Sequence, residues 1–174
     1  FFQAEDGIRA SSTSRGLGDV YKRQGKILVP GSPQVVFDMT EGVDHIGIAT
    51  HSLDAHSKFW TSLGFIHTND DINEDQGVKI RFFHTHSGGP KIELLEPLSV
   101  DTPIGKFLQK RGEGVQQIAV KTEDILSTIK ELQSSGIRMI NQEPVEGANG
   151  TRIAFVHPSS TGGVLVELVE YQKA

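Results

Sequence analysis

Residues 44–49 read Asp44-His45-Ile46-Gly47-Ile48-Ala49, and residues 116–121 read Gln116-Gln117-Ile118-Ala119-Val120-Lys121. Each is a strand-like stretch with a residue able to hold a metal ion, His45 in the first and Gln117 in the second. A second echo follows, in which Ile92-Glu93-Leu94-Leu95-Glu96 returns as Val166-Glu167-Leu168-Val169-Glu170. His45 and Gln117 are 72 residues apart, and Glu93 and Glu167 are 74 apart, so one internal repeat carries both echoes. A duplicated unit places its equivalent residues about a pseudo-twofold axis. His45, Glu93, Gln117 and Glu167 are therefore expected to converge, and four such side chains facing each other suggest a metal site.

The segments around these echoes repeat in the same order. Residues 43–50 alternate as a strand does, Ser52 caps a helix over 53–63, and Gly64 stops it. A short strand at 65–68, a polar acidic loop at 69–76, and strands at 78–84 and 91–96 complete the first unit. The second unit reads as a strand at 115–121, a helix over 123–134 closed by Gly136, and strands at 137–141, 151–157 and 164–170. A connecting helix fits within 102–111. Each unit is βαβββ, and pairing the two sheets is the economical way to cover their apolar faces.

Composition narrows the function. The chain has no cysteine, which excludes disulfides, thiolate ligands and a cysteine nucleophile. No apolar run approaches the roughly 20 residues that span a bilayer. Residues 1–24 lack apolar periodicity, and parts of them resemble translated sequencing-adapter read-through. Met39 is read as the start of the domain, and residues 1–38 as a leader, disordered or artefactual. Subtracting the leader's five Lys/Arg and four Asp/Glu from the chain's 17 and 22 leaves 12 against 18, a net charge of −6 for residues 39–174. Such a domain is a poor partner for nucleic acid or an anionic membrane.

Four stretches together resemble a known family. They are 43–49, 91–97, the 103–114 segment with Lys110-Arg111-Gly112-Glu113-Gly114, and His157-Pro158 followed by Thr161-Gly162-Gly163-Val164-Leu165-Val166-Glu167-Leu168. Over nearly all of 42–171 the chain resembles the vicinal oxygen chelate (glyoxalase/bleomycin resistance) superfamily, and within it the methylmalonyl-CoA epimerases. The resemblance implies an α+β fold of two βαβββ modules, 42–97 and 114–171, joined by a helix at about 102–111. In that fold the modules curl into a half-open barrel around a divalent metal.

Carried over residue by residue, the ligands are His45, Glu93, Gln117 and Glu167. Position 117 departs from the pattern, since epimerases usually carry His-His at 116–117. A glutamine amide oxygen still ligates, as in glyoxalase relatives; alternatively, Gln117 only lines the cavity. One nitrogen and three oxygens favour Mn, Mg or Co over a thiolate-type zinc site, with Ni and Zn left open.

The implied activity is epimerisation of methylmalonyl-CoA by α-proton abstraction through a metal-stabilised enolate. Glu167 is the candidate base as well as ligand. Residues 76–81 offer no carboxylate for a second acid, which leaves Glu93 as a possibility. An acyl-CoA substrate, a homodimer and a cytoplasmic location complete the expectation. Two alternatives stay open: a glyoxalase-type lyase acting on a thiol adduct, and a metal-free small-molecule binding or resistance protein.

Several residues carry two readings. Lys106, Lys110 and Arg111 are either phosphate contacts or a solvated helix face. The turns 147–150 and 159–163 border the substrate mouth or simply connect strands. Glu96 and Glu170 are read as solvated strand ends, and His84 with His86 as an exposed hairpin end.

Overall fold

The computed structural model describes residues 39–172 in full and, within 1–38, the backbone of two strands, β1 (Lys26–Leu28) and β2 (Val35–Phe37), which pair antiparallel. The expectations about the rest of the leader fall outside the described residues. In residues 39–172 the first repeat comprises β3 (Gly42–Ala49), α1 (Leu53–Ser62), β4 (Ile66–Asn73), β5 (Val78–His84) and β6 (Lys91–Pro97). After α2 (Pro103–Arg111) the second comprises β7 (Gly114–Lys121), α3 (Ile125–Ser134), β8 (Val145–Glu146), β9 (Thr151–Val156) and β10 (Leu165–Tyr171).

Both repeat helices are bounded by local chemistry. Ser52 Oγ accepts the Ala55 N–H at the start of α1, and Asp124 accepts the Ser127 N–H at the start of α3. Both end in a left-handed glycine, Gly64 at φ 93° and Gly136 at φ 78°. In each case the next residue closes a six-residue turn, Phe65 N–H to Trp60 O and Ile137 N–H to Leu132 O. The start of α2 is set by Thr102, whose hydroxyl accepts the Gly105 N–H, with Pro103 at its first position.

The two units join in one sheet of eight strands, ordered β4-β5-β6-β3-β7-β10-β9-β8. Each module pairs its first strand parallel to its own last, β3 with β6 and β7 with β10, and the modules meet antiparallel along β3 and β7. The pseudo-twofold axis therefore runs between β3 and β7. The expected α+β architecture of two βαβββ modules in a curled half-barrel is the one found. The modules share a continuous sheet instead of stacking two separate ones.

One face of the sheet is covered by α1 and α3. Leu53 packs with Phe83, Ile92 and Leu94, and Ile125 and Ile129 pack with Ala154, Val156 and Leu168. On the other face Ala49, Val78, Ile80, Phe82 and Leu95 pack with Ile104 and Leu108 of α2. No helix among the described residues is long and apolar enough to cross a membrane.

Three expectations are corrected. The acidic stretch expected as a loop at 69–76 is largely strand, because Arg81 on the neighbouring strand binds both Asp70 oxygens at 2.8 and 2.6 Å and draws it into the ladder past a bulge. Residues 137–141 form no strand; a single bridge joins Met139 to Val156, while Asn141 Oδ1 takes the Phe155 N–H that a strand would have bonded. The short β8 takes that strand's place at the sheet edge. Finally, Glu96 and Glu170 are not solvated strand ends. Glu96 accepts the Leu53 N–H at 2.9 Å and Glu170 the Ile125 N–H at 2.7 Å, so each ties its module's last strand to its helix N-terminus.

Candidate active site

The four residues singled out by the repeat come from β3, β6, β7 and β10, the central strands of the sheet. All four are buried, with 5–9% of their surface exposed, and all line one cavity of about 190 Å³. Strand alternation puts Lys91, Glu93 and Leu95 on the cavity face of β6, and Glu167, Val169 and Tyr171 on that of β10. Gly47 on β3 makes the approach possible, since a Cβ there would lie 2.7 Å from Gln117 Cγ.

The imidazole of His45 is the hub. Its Nδ1 bonds Asp44 Oδ2 at 2.9 Å and lies 3.4 Å from Glu93 Oε1. Nε2 is buried without a hydrogen-bond partner, and Glu167 Oε2 stands 3.4 Å away from it. The Gln117 amide NH2 donates to the same Glu167 oxygen. Behind this group Asp44 is held by Lys91 Nζ at 3.0 and 3.2 Å and by the Tyr171 hydroxyl at 3.0 and 3.1 Å. Lys91 also donates to the Tyr171 hydroxyl.

Burial and charge move the protons in this cluster. Burial pushes the Glu93 carboxyl up to about 7, partly opposed by His45 and reinforced by Glu167. For His45 burial alone would lower the pKa. The bond to Asp44 and the neighbouring Glu167 and Glu93 outweigh it and raise the imidazole to about 10. Burial likewise pushes Asp44 up, but its bonds to His45 and Lys91 prevail and hold it at about 2.

The donor set fits a divalent ion on three observations. A buried imidazole nitrogen has no partner, and two buried carboxylates face it in one cavity. The Nε2–Oε2 separation of 3.4 Å also matches the roughly 3.0–3.4 Å between neighbouring ligand atoms on an ion with bonds of about 2.1 Å. Among the described residues no three His, Asp or Glu groups stand already converged as a ligand cluster. Glu93 meets the ring at Nδ1, and Gln117 turns its NH2 toward Glu167. A half-turn of that amide presents its oxygen instead.

The cavity has no carboxylate among its lining residues besides Glu93 and Glu167; its far wall carries Thr68, Asn69, Asn73 and Gln76. The turn at 147–150 does border the cavity, through Ala148 and Asn149, while 159–163 does not. His84 and His86 lie away from it, as do His56, paired with Glu113, and His67, paired with Asp70. Sequence reasoning missed Asp44, Lys91 and Tyr171. The Asp-His dipeptide was a signal for the first, and the i, i+2 alternation from Glu93 and Glu167 for the others.

The sequence profile of the Glyoxalase/Bleomycin resistance protein/Dioxygenase superfamily matches residues 44–155. The Bacillus subtilis (strain 168) protein YqjC is 40% identical over 129 residues, covering 74% of this chain and 91% of that one. The human mitochondrial methylmalonyl-CoA epimerase is 32% identical over 163 residues, covering 92% and 84%. Among solved structures, a variant Streptomyces coelicolor methylmalonyl-CoA epimerase in complex with 2-nitronate-propionyl-CoA superposes with a TM-score of 0.71 at 40% identity, covering 77% and 99%.

Proposed function

The chain belongs to the glyoxalase/bleomycin resistance protein/dioxygenase superfamily, and from that premise we propose that it is an isomerase that epimerises methylmalonyl-CoA. The observation that carries the reading is the single buried cavity in which both repeats place a carboxylate, Glu93 and Glu167, on either side of His45. Similarity to epimerases over most of both chains supports the substrate class.

Inversion at a carbon between two carbonyl groups needs one group to remove a proton and another to return it from the opposite face. Glu93 and Glu167 reach the cavity from strands separated by β3 and β7, which gives the two required directions. Glu167 is assigned as the base. Glu93, raised to about 7, carries a proton near neutral pH and is assigned as the acid. Lys91 and the polar far wall are placed to orient the substrate carboxylate. A divalent ion held by His45, Glu93, Gln117 and Glu167 would supply Lewis-acid stabilisation of the charge that develops on the substrate oxygens.

Metal analysis tests that part of the reading. Protein purified without chelators should carry about one ion per chain, and His45→Ala should remove it while leaving the fold intact. Ion content unchanged in His45→Ala would remove His45 from the ligand set.

A further inference from the structure

A cavity of about 190 Å³ holds an acyl head but not coenzyme A, since drug-sized ligands occupy roughly 300–1,000 Å³. A second groove, of about 330 Å³, adjoins it in the chain. Gln117 lines the cavity and Gln116 the groove, while on α2 Ile104 lines the cavity and Pro103, Lys106 and Phe107 the groove. The β3–β7 ladder explains the division. Its register jumps from Gly47↔Gln117 to Ile48↔Val115, leaving Gln116 outside the pairing.

The groove has an apolar floor, including Phe107 and Leu165. Within it Gln116 Oε1 is buried and accepts no hydrogen bond among the described residues. A buried acceptor of this kind is costly unless a donor reaches it. At the rim stand Lys106, Lys110 and Arg111, exposed and in no ion pair among the described residues. By contrast Lys79, Arg81, Lys91, Lys121 and Arg152 are each paired with a carboxylate. In an acidic domain, this cluster is where a polyanion meets uncompensated positive charge.

We propose that this groove binds the phosphopantetheine end of the coenzyme A thioester, with Gln116 Oε1 accepting an amide N–H of the pantetheine arm and Lys106, Lys110 and Arg111 contacting the phosphates. The proposal rests on the reading of the adjoining cavity as the acyl site.

Steady-state kinetics of the full chain on two substrates tests it: methylmalonyl-CoA, and methylmalonyl-pantetheine, which keeps the amides and lacks the phosphates. The combined change Lys106→Gln, Lys110→Gln, Arg111→Gln should raise KM for the coenzyme A thioester roughly tenfold at low salt, with kcat unchanged. KM for the pantetheine thioester should not move. Gln116→Leu should raise KM for both. The paired change Lys58→Gln, Lys130→Gln, which removes exposed charges elsewhere, should alter neither. Equal effects of the triple change on both thioesters, or none on either, overturn the groove assignment. If the wild type turns over neither thioester, the functional reading fails separately, and titration with coenzyme A itself decides the groove. Roughly tenfold weaker binding by the triple variant supports it, and equal or absent binding overturns it.

Discussion

At the scale of residues, His45 depends on a neighbour the repeat does not point to. Asp44 takes Nδ1 and leaves Nε2 directed away from it, the arrangement that fixes which imidazole nitrogen is free to ligate. Asp44→Asn should therefore weaken ion binding roughly 10–100-fold by titration, and Tyr171→Phe, which removes one outer support, should weaken it less. Unchanged affinity in Asp44→Asn would leave Asp44 a purely structural residue. The protonation of the site gives a second prediction. Without an ion, His45 and Glu93 both hold their protons more tightly folded than unfolded. Their contributions to stability are thus present at low pH. That of Glu93 is lost as pH rises from about 4.5 through about 7, and that of His45 from about 6.5 through about 10. An ion must displace those protons. Its apparent affinity should rise about tenfold per pH unit between 7 and 10, and about a hundredfold per unit just below 7. Calorimetric titration in buffers of different ionisation enthalpy reads the proton release, and a pH-independent affinity would contradict the assignment. His45, Glu93, Gln117 and Glu167 were legible in sequence because the repeat aligns them. Lys91 and Tyr171 were not, because they join Asp44 across 47 and 127 residues.

At the scale of elements, the capped helices and the alternating strands could be read directly, since their signals are local. Ser52 and Gly64 are within a few residues of what they terminate. The failures are places where tertiary partners decide. Arg81 recruits Asp70 into β4, and Asn141 replaces a ladder bond with a side-chain one. The pair Glu96 and Glu170 shows the same repeat acting on architecture. Each anchors a helix N-terminus and meets a cation from the next strand, Lys79 at 3.4 Å and Arg152 at 3.1 Å. Glu96→Ala and Glu170→Ala should each lower the unfolding free energy by about 1–2 kcal/mol. The anchors sit in different modules, so the double variant should lose close to the sum, within about 0.5 kcal/mol. Urea unfolding measures this, and an unshifted midpoint in either single variant would show that its anchor contributes nothing.

At the scale of the whole molecule, duplication turns four residues scattered over more than 120 positions into one enclosed site. The antiparallel β3–β7 seam brings the two copies together, and the parallel pairing of first and last strands within each copy sets His45 beside β6 and Gln117 beside β10. That convergence follows from the repeat; the cavity's size, its far wall and the groove beyond Gln116 follow only from the folded sheet. The central claim is that this cavity exchanges the α-proton of methylmalonyl-CoA and inverts the carbon. Nuclear magnetic resonance of the substrate in deuterated water, with the full chain and Mn²⁺, Co²⁺, Ni²⁺ or Mg²⁺, tests it most directly. The α-proton should be replaced by deuterium with inversion, and Glu167→Gln should slow that exchange at least about a hundredfold. Folded protein that leaves the α-proton in place with every one of these ions would contradict the claim.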